Sequence, residues 1–226
     1  MSELESNAKT LSYQYISGSE TPRSDVFWSS DRNEQTRIML LDTNHWSDAH
    51  ATALRERLVN IAAELALSGT PPLDWFFEVR KATNDYVERH GIALKDAFVN
   101  TALILVRGRV IKYVGAYAPI YIYAAPGSAS HLFKGTVCGI PGLDDVPVET
   151  GSVRLEPDQN FFILSDGMLE SINSRGKIIG DSLFYAFCSE TAADTPSRER
   201  GKALFQKYCD AAVERHDSHG MLVIEG

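Results

Sequence analysis

Hydrophobic and polar positions repeat with two different periods along the chain, and the change of period separates strands from helices. Apolar residues that alternate with polar ones, or that run together between turn residues, are typical of strands. This pattern predicts strands at 11–17, 25–30, 36–42, 98–106, 110–123, 151–157, 161–164 and 220–225. The run 161–164 is wholly apolar, which indicates a strand that is covered on both faces.

Apolar residues three and four positions apart predict four helices. The first begins after Ser47, a plausible cap, with Asp48 in its first turn. The second covers 73–90 and ends at Gly91, a residue suited to the left-handed position after a helix. Two more are predicted at 181–189 and 198–215, while the segments 125–130 and 135–147 read as loops.

The order of these elements indicates the fold class. Strands come first, then two helices, further strands, two more helices and a last strand. Because most successive strands are joined by short turns, we expect antiparallel sheets with the helices kept apart from the strands, which is an α+β arrangement. No repeat or linker divides the chain, so we expect residues 11–226 to form a single domain after a disordered stretch, 1–10.

Composition narrows the functional classes. The chain has 226 residues, with 22 basic and 30 acidic side chains and a net charge of −8. An acidic surface argues against nucleic acid or an anionic membrane as the main partner. The polar start lacks the features of a secretory signal, and no apolar run reaches the length of a membrane helix. The three cysteines are widely spaced, which favours free thiols, and we expect a cytoplasmic protein.

Acidic residues stand at the ends of several strongly apolar strands. Asp42 ends one strand, Asp166 closely follows 161–164, Asp217 precedes the last strand, and Asp25 opens another. Each alone is explained by the preference of Asp for turns. Together they suggest convergence on one site for a hard cation such as Mg²⁺ or Mn²⁺, which prefers carboxylate, carbonyl and water oxygens.

The segment SVRLEPDQNFFILSDGMLESINSRGKIIGDSLF resembles the signature region of the metal-dependent (PPM, type 2C) protein serine/threonine phosphatases. The closer resemblance is to their bacterial SpoIIE-like branch, which includes free-standing regulators of stress-response signalling. That branch has a strand ending in (S/T)DG, here Ser165-Asp166-Gly167, followed by an N-x-x-G turn, here Asn173 to Gly176. The segments FVNTALILVRGRVIKYVGAYAPIYIY and HDSHGMLVIEG are similar to the central hairpin and the final strand of the family.

The resemblance implies two antiparallel sheets packed as a sandwich, with helices on both outer faces. It implies two Mn²⁺ or Mg²⁺ ions at one end, and an activated water that hydrolyses phosphoserine or phosphothreonine on a regulatory protein. Asp42 and Asp166 match catalytic, metal-binding carboxylates, Thr43 a carbonyl ligand and Asp217 the last metal-binding Asp. Asp25 matches an acid near the first strand of the family, which lies beside the site and holds metal-bound water. By resemblance, the partner would be a small phosphorylated regulatory protein, such as an anti-sigma-factor antagonist of the STAS type.

Three motifs depart from the family: the last metal-binding motif reads Asp217-Ser218, the loop after the central hairpin reads VGAYAP, and the turn after the first Asp also differs. The turn after the first Asp is normally rich in glycine, but here it reads DTNHWSDAH. This departure favours an alternative, a pseudophosphatase that keeps the fold and acts as a protein-binding module, whereas Asp42, Asp166 and Asp217 favour the enzyme. Because almost the whole chain resembles a catalytic domain, we expect regulation in trans or through homodimer contacts.

Four histidines lie near these acids. His45 and His50 flank Asp48, and His216 and His219 flank Asp217. The simpler interpretation makes them residues of surface loops. The alternative makes one of them a metal ligand or the general acid that protonates the leaving oxygen.

Overall fold

The computed structural model describes residues 11–17, 25–32, 34–43, 48–93, 99–123, 130–135, 148, 150–192, 195–214 and 219–226. In these ranges the strands are β1 (Ser12–Ser17), β2 (Asp25–Arg32), β3 (Gln35–Asp42), β4 (Asn100–Arg107), β5 (Val110–Tyr123), β6 (Ser130–Gly135), β7 (Thr150–Arg154), β8 (Asn160–Leu164), β9 (Ile172–Asn173), β10 (Ala212–Glu214) and β11 (Gly220–Glu225). The helices are α1 (Asp48–Ser68), α2 (Pro72–His90), α3 (Asp166–Glu170), α4 (Gly180–Ala192) and α5 (Ser197–Ala211).

Two antiparallel sheets share the long strand β5. Its first half pairs with β4 and β7, and the order of strands continues through β3 to the edge strand β2. Its second half pairs with β6 and β8, and the order continues through β11 to the edge strand β1. The changeover falls at Ala116, which is paired with Thr101 on one side and with Gly135 on the other.

Because successive side chains of a strand point to opposite faces of its sheet, each sheet has two faces that pack against other elements. The helices and sheets therefore form four layers. On one face of the first sheet, Met39 and Leu103 pack with residues of α1 and α2. On one face of the second sheet, Phe162 and Val223 pack with residues of α4 and α5. The two remaining faces meet in a third apolar cluster formed by Ile38, Ala102, Ile104, Ile111, Tyr113, Phe161, Ile163, Leu222 and Ile224, among others. The fold is therefore an α-β-β-α sandwich, as expected from the sequence.

Most elements confirm the predicted pattern. The four residues 161–164 are buried, and β8 contains them as predicted. The helix α2 ends at Gly91, whose φ of 61° lies in the left-handed region that glycine adopts without a steric penalty. None of the helices in the described ranges is long and apolar enough to span a bilayer.

Three details differ from the sequence-based prediction. The helix predicted at 198–215 ends at Ala211, because Ala212 turns extended and starts β10, which pairs with β9. The predicted loop 125–130 already contains the first residue of β6, a strand that the sequence did not predict. The predicted strand 151–157 forms only as far as Arg154. Residues 1–10, predicted to be disordered, lie outside the described ranges.

Candidate functional site

The first part of the site is the end of β3. Asp42 is the last residue of this strand, and it is paired with Asp25 of β2 on one side and with Asn100 of β4 on the other. The Asp42 residue is 7% exposed and Thr43 is 2% exposed. Strand alternation puts Asp42 on the same face as Ile38 and therefore on the face turned toward the second sheet. A carboxylate in such a position requires donors or a cation, because burial of an unpaired charge is costly.

The second part is the end of β8, where two hydrogen bonds join it to β11. The Ser165 N–H donates to the carbonyl of Gly220 at 2.9 Å. The Gly220 N–H in turn donates to the Ser165 Oγ, also at 2.9 Å. Asp166 follows at once as the first residue of α3. These two hydrogen bonds fix Ser165, the residue before Asp166, to Gly220, which follows Asp217 by three positions along the chain. Asp217 itself lies outside the described ranges.

Strand register puts these two parts at the same end of the sandwich. Asp42 is opposite Asn100, and the next residue, Thr101, is opposite Ala116, where β5 passes from one sheet to the other. Four residues later, Ile120 is opposite Ile163, two positions before Ser165. The ends of β3 and β8 thus both lie beside the changeover point of β5. The chain positions of Asp42 and Asp166 therefore lie at the same end of the sandwich.

Two buried hydrogen bonds at Ser171 hold the short helix α3 against α5. The Ser171 hydroxyl donates to the carbonyl of Gly167 at 2.7 Å, and its oxygen lies 2.6 Å from the hydroxyl oxygen of Tyr208 on α5. Neither Ser171 nor Tyr208 was predicted from the sequence as a residue near the site. The only sequence signal was a Tyr on the apolar stripe of a predicted helix, where a hydroxyl usually needs a buried partner.

The structure describes two of the four histidines that lie near acids in the sequence, His50 and His219. His219 is 6% exposed, stacks on Phe205 at a centroid distance of 6.1 Å and lies 5.6 Å from the Tyr208 ring. The surface-loop interpretation is therefore wrong for His219, because aromatic residues of α5 cover it. His50 lies on α1, where its Nδ1 is 3.1 Å from the Tyr86 hydroxyl. His45 and His216 lie outside the described ranges.

The cysteines agree with the predicted reduced state. Cys188 and Cys209 are free, and Cys138 lies outside the described ranges. Burial in an apolar cluster raises the pKa of the Cys188 thiol to about 12. Since the thiolate is the nucleophilic form of cysteine, Cys188 is a packing residue and is not part of a reactive site.

The donor chemistry of the site suits a hard divalent cation. Asp42 and the Thr43 carbonyl offer oxygen atoms at a buried strand end, and such oxygens are the ligands of Mg²⁺ and Mn²⁺. Among the side chains that the structure describes, no three carboxylates, imidazoles or thiols form a metal-binding group. The structure does not describe the side chains of Asp25, Asp166 and Asp217. These residues are therefore assigned to the site from their positions along the chain alone.

The arrangement of sheets and helices is that of the solved PP2C-type phosphatase domains. The chain belongs to the SpoIIE family, because the family model described as Stage II sporulation protein E (SpoIIE) matches residues 35–225. No curated protein matches it.

Solved structures share the fold at low sequence identity. The SiaA-PP2C domain of Pseudomonas aeruginosa is 16% identical, with a TM-score of 0.72, over 95% of this chain and 85% of that chain. The PP2C domain of SpoIIE from Bacillus subtilis, solved with a fragment of its regulatory domain, is 12% identical, with a TM-score of 0.72, over 95% of this chain and 62% of that chain. The catalytic domain of the phosphatase PstP, in complex with two manganese ions, is 13% identical, with a TM-score of 0.64, over 96% and 98%.

Proposed function

We propose that this protein is an active, metal-dependent phosphatase that removes phosphate from serine or threonine on a regulatory protein. The observation that carries the proposal is the meeting of two strand ends beside the changeover of β5. One is Asp42, opposite Asp25, and the other is Ser165–Asp166, hydrogen-bonded to Gly220. A site whose ligands come from both sheets forms only when the sandwich is complete.

The proposed roles follow the positions of the residues. Asp42, Asp166 and Asp217 supply carboxylates to the ions, Thr43 supplies its backbone carbonyl, and Asp25 orients water beside them. The burial of Asp42 keeps water away from part of its carboxylate, which strengthens its attraction for a cation. Two Mn²⁺ or Mg²⁺ ions, when bound there, would supply Lewis acidity that lowers the pKa of a water molecule toward neutrality and would offset the charge of phosphate.

The proposed reaction transfers the phosphoryl group directly to water. A bond forms between phosphorus and the water oxygen, and the bond between phosphorus and the serine or threonine oxygen breaks. No covalent phosphoenzyme is needed. The attacking water loses one proton as it bonds to phosphorus, and the leaving serine or threonine oxygen gains one, so the step is balanced.

The experiment measures hydrolysis of p-nitrophenyl phosphate with Mn²⁺, before and after addition of a chelator, for wild type and Asp42→Asn. We expect turnover that the chelator abolishes and that Asp42→Asn lowers by at least about 100-fold, the size typical of losing one group that stabilises transition-state charge. Asp158→Asn is the matched control. It makes the same charge change at an exposed position before β8, at the opposite end of that strand from Asp166.

The rival proposal is the pseudophosphatase, and the altered DTNHWSD turn is the observation that favours it. Residues 44–47 of this turn lie outside the described ranges. Absence of turnover with any divalent ion, together with absence of Mn²⁺ binding in calorimetry, would establish the rival and refute the enzyme. Turnover that Asp42→Asn and Asp158→Asn reduce equally would show that Asp42 is not a site residue.

We further propose that residues 11–226 act as one phosphatase domain that is regulated in trans or through homodimer contacts. The proposed substrate is a small phosphorylated regulator, such as an anti-sigma-factor antagonist of the STAS type. Comparison of the phosphoproteomes of wild-type cells and a deletion strain tests this. The STAS protein should gain phosphate when the gene is removed, and an unchanged phosphorylation level would refute it as the substrate.

A further inference from the structure

One tyrosine of the edge strand β1 contacts the edge of the other sheet. The Tyr15 ring stacks on Phe27 of β2, with a centroid distance of 5.2 Å and an angle of 5° between the planes. Tyr15 itself is paired with Leu222 of β11, so its backbone belongs to the second sheet while its ring partner belongs to the first. The stack therefore connects the two sheets at their edges.

The same ring covers Gly220. A Cβ atom added at Gly220 would lie 2.0 Å from the Tyr15 hydroxyl oxygen and 2.6 Å from its Cζ. Real Cβ atoms do not approach other atoms so closely, so the phenol occupies space that only a glycine leaves open. Gly220 is also the residue that exchanges two hydrogen bonds with Ser165.

The two contacts of Tyr15 lie next to the two parts of the proposed metal site. Phe27 is two residues from Asp25, the position opposite Asp42. Gly220 is hydrogen-bonded to Ser165, the residue before Asp166. The Tyr15 ring thus lies between β2, which begins at Asp25, and Gly220, which is hydrogen-bonded to the residue before Asp166.

We propose that Tyr15 is a positioning residue for this metal site: its ring fixes the spacing of the two sheets at the end where their carboxylates converge. This inference rests on the proposed function and extends it to a residue outside 35–225, the part matched by the family model. Metal ions held between carboxylates of two sheets tolerate little change in ligand separation. Loss of the ring would leave a gap between Phe27 and Gly220 into which either edge can relax.

The experiment measures Mn²⁺ binding by titration calorimetry, together with melting without metal. We expect Tyr15→Ala to weaken Mn²⁺ binding by about tenfold or more, the typical effect of losing a residue that orients metal ligands. Tyr15→Phe keeps the ring and should restore most of the affinity. Tyr15→Leu keeps apolar bulk without the stacked plane, and it replaces Tyr15→Ala if the alanine variant does not fold.

Tyr13→Ala is the matched control. Tyr13 lies on the same strand and also meets Phe27, at 6.2 Å and 45°. Its hydroxyl donates to the Asp31 carboxylate and lies 3.2 Å from the Ser29 hydroxyl oxygen, and both residues lie toward the opposite end of β2. Tyr13→Ala should therefore lower the melting temperature without metal, as Tyr15→Ala does, but leave the affinity for Mn²⁺ unchanged.

A double-mutant cycle tests the contact itself. Gly220→Ala should displace the Tyr15 ring and weaken Mn²⁺ binding in the same way as Tyr15→Ala. The double variant should then bind Mn²⁺ no more weakly than Gly220→Ala alone, because both changes act through one contact. Fully additive losses would show that Tyr15 and Gly220 act independently and would overturn the inference.

The remaining outcomes separate this inference from the proposed function. If wild type binds Mn²⁺ and Tyr15→Ala binds it equally well, the positioning role is refuted and the phosphatase proposal stands. The same holds if Tyr13→Ala weakens binding as much as Tyr15→Ala, because the effect would then be one of general stability. If wild type binds no Mn²⁺, the proposed metal site fails and the role of Tyr15 fails with it.

Discussion

The Tyr208 hydroxyl donates its hydrogen to Ser171, because the single hydrogen of the Ser171 hydroxyl is already given to the Gly167 carbonyl. The pair is buried, and it ties helix α5 to the short helix that starts at Asp166. A helix of 5 residues has little stability of its own, so its position depends on such contacts.

This relationship predicts unequal effects of two small substitutions. Tyr208→Phe removes one donor and should cost about 1 kcal/mol of unfolding free energy, or roughly 2–4 °C in melting temperature. Ser171→Ala deprives both the Gly167 carbonyl and the Tyr208 hydroxyl of their Ser171 partner, so it should cost about 2–3 kcal/mol. Thermal or urea unfolding of both variants measures this. Equal losses would contradict the assigned direction of the hydrogen bonds.

Asp166→Asn should change the response of stability to Mn²⁺. Without metal, the variant should melt higher than wild type, because one negative charge is removed from a group of converging acids. With Mn²⁺, wild type should overtake it, because a ligand that binds only the folded state stabilises that state. Melting curves across a Mn²⁺ titration test this, with Asp158→Asn as the control. An equal shift of wild type and Asp166→Asn would exclude Asp166 as a ligand.

Cys188 should make stability fall at alkaline pH. Its ordinary thiol pKa of 9.0 is raised by burial to about 12 in the folded state. The unfolded chain therefore loses this proton first, and the contribution to stability is present below pH 9 and lost as the pH rises from 9 toward 12. Melting temperature against pH should be flatter in this window for Cys188→Ala. A slope identical to that of wild type would contradict the buried, neutral thiol.

Two leucines of α1 should differ sharply in their importance. Leu54 is 0% exposed and packs in the cluster between α1, α2 and the first sheet, whereas Leu67 is 67% exposed. Leu54→Ala should cost about 2–5 kcal/mol, because it removes buried apolar contacts and leaves a cavity. Leu67→Ala should change stability by no more than about 0.5 kcal/mol. Chemical denaturation of both variants checks the difference, and similar losses would argue against the observed packing of α1.

The elements that were predicted correctly are those whose pattern depends on residues close together along the chain. The apolar run of β8, the periodic stripes of α1 and α2, and the glycine after α2 each have a cause within a few residues. The strand β6 carries a weak signal, because its short sequence lies between Gly- and Ser-rich stretches. The end of α5 was misplaced because the pairing of β10 with β9 overrides the helical tendency of the residues after Ala211.

The strand-end positions of Asp42 and Asp25 could be predicted from the sequence, but the contacts around Ser165 and Gly220 could not. Asp42 stands at a strand end that the sequence identifies, and pairing with Asp25 follows once β2 and β3 form a hairpin. The bonds between Ser165 and Gly220 join residues 55 positions apart, and no local pattern indicates them. The ring of Tyr15 over Gly220 depends on a still longer separation along the chain. Such contacts depend on how strands that are distant in sequence are arranged in the fold. No short stretch of the sequence indicates that arrangement.

The pairing of β1 with β11 has a consequence for synthesis. Residues 12–17 and 220–225 form one antiparallel ladder, so the N-terminal strand has no partner until the C-terminal strand has left the ribosome. The β2–β3 and β4–β5 hairpins can form early from neighbouring residues, whereas closure of this ladder must wait for a long loop to be brought together. A growing chain therefore exposes the edge of β1 but lacks the Tyr15–Gly220 contact, and a chain interrupted before β11 would lack part of the sandwich end at which the metal site is proposed.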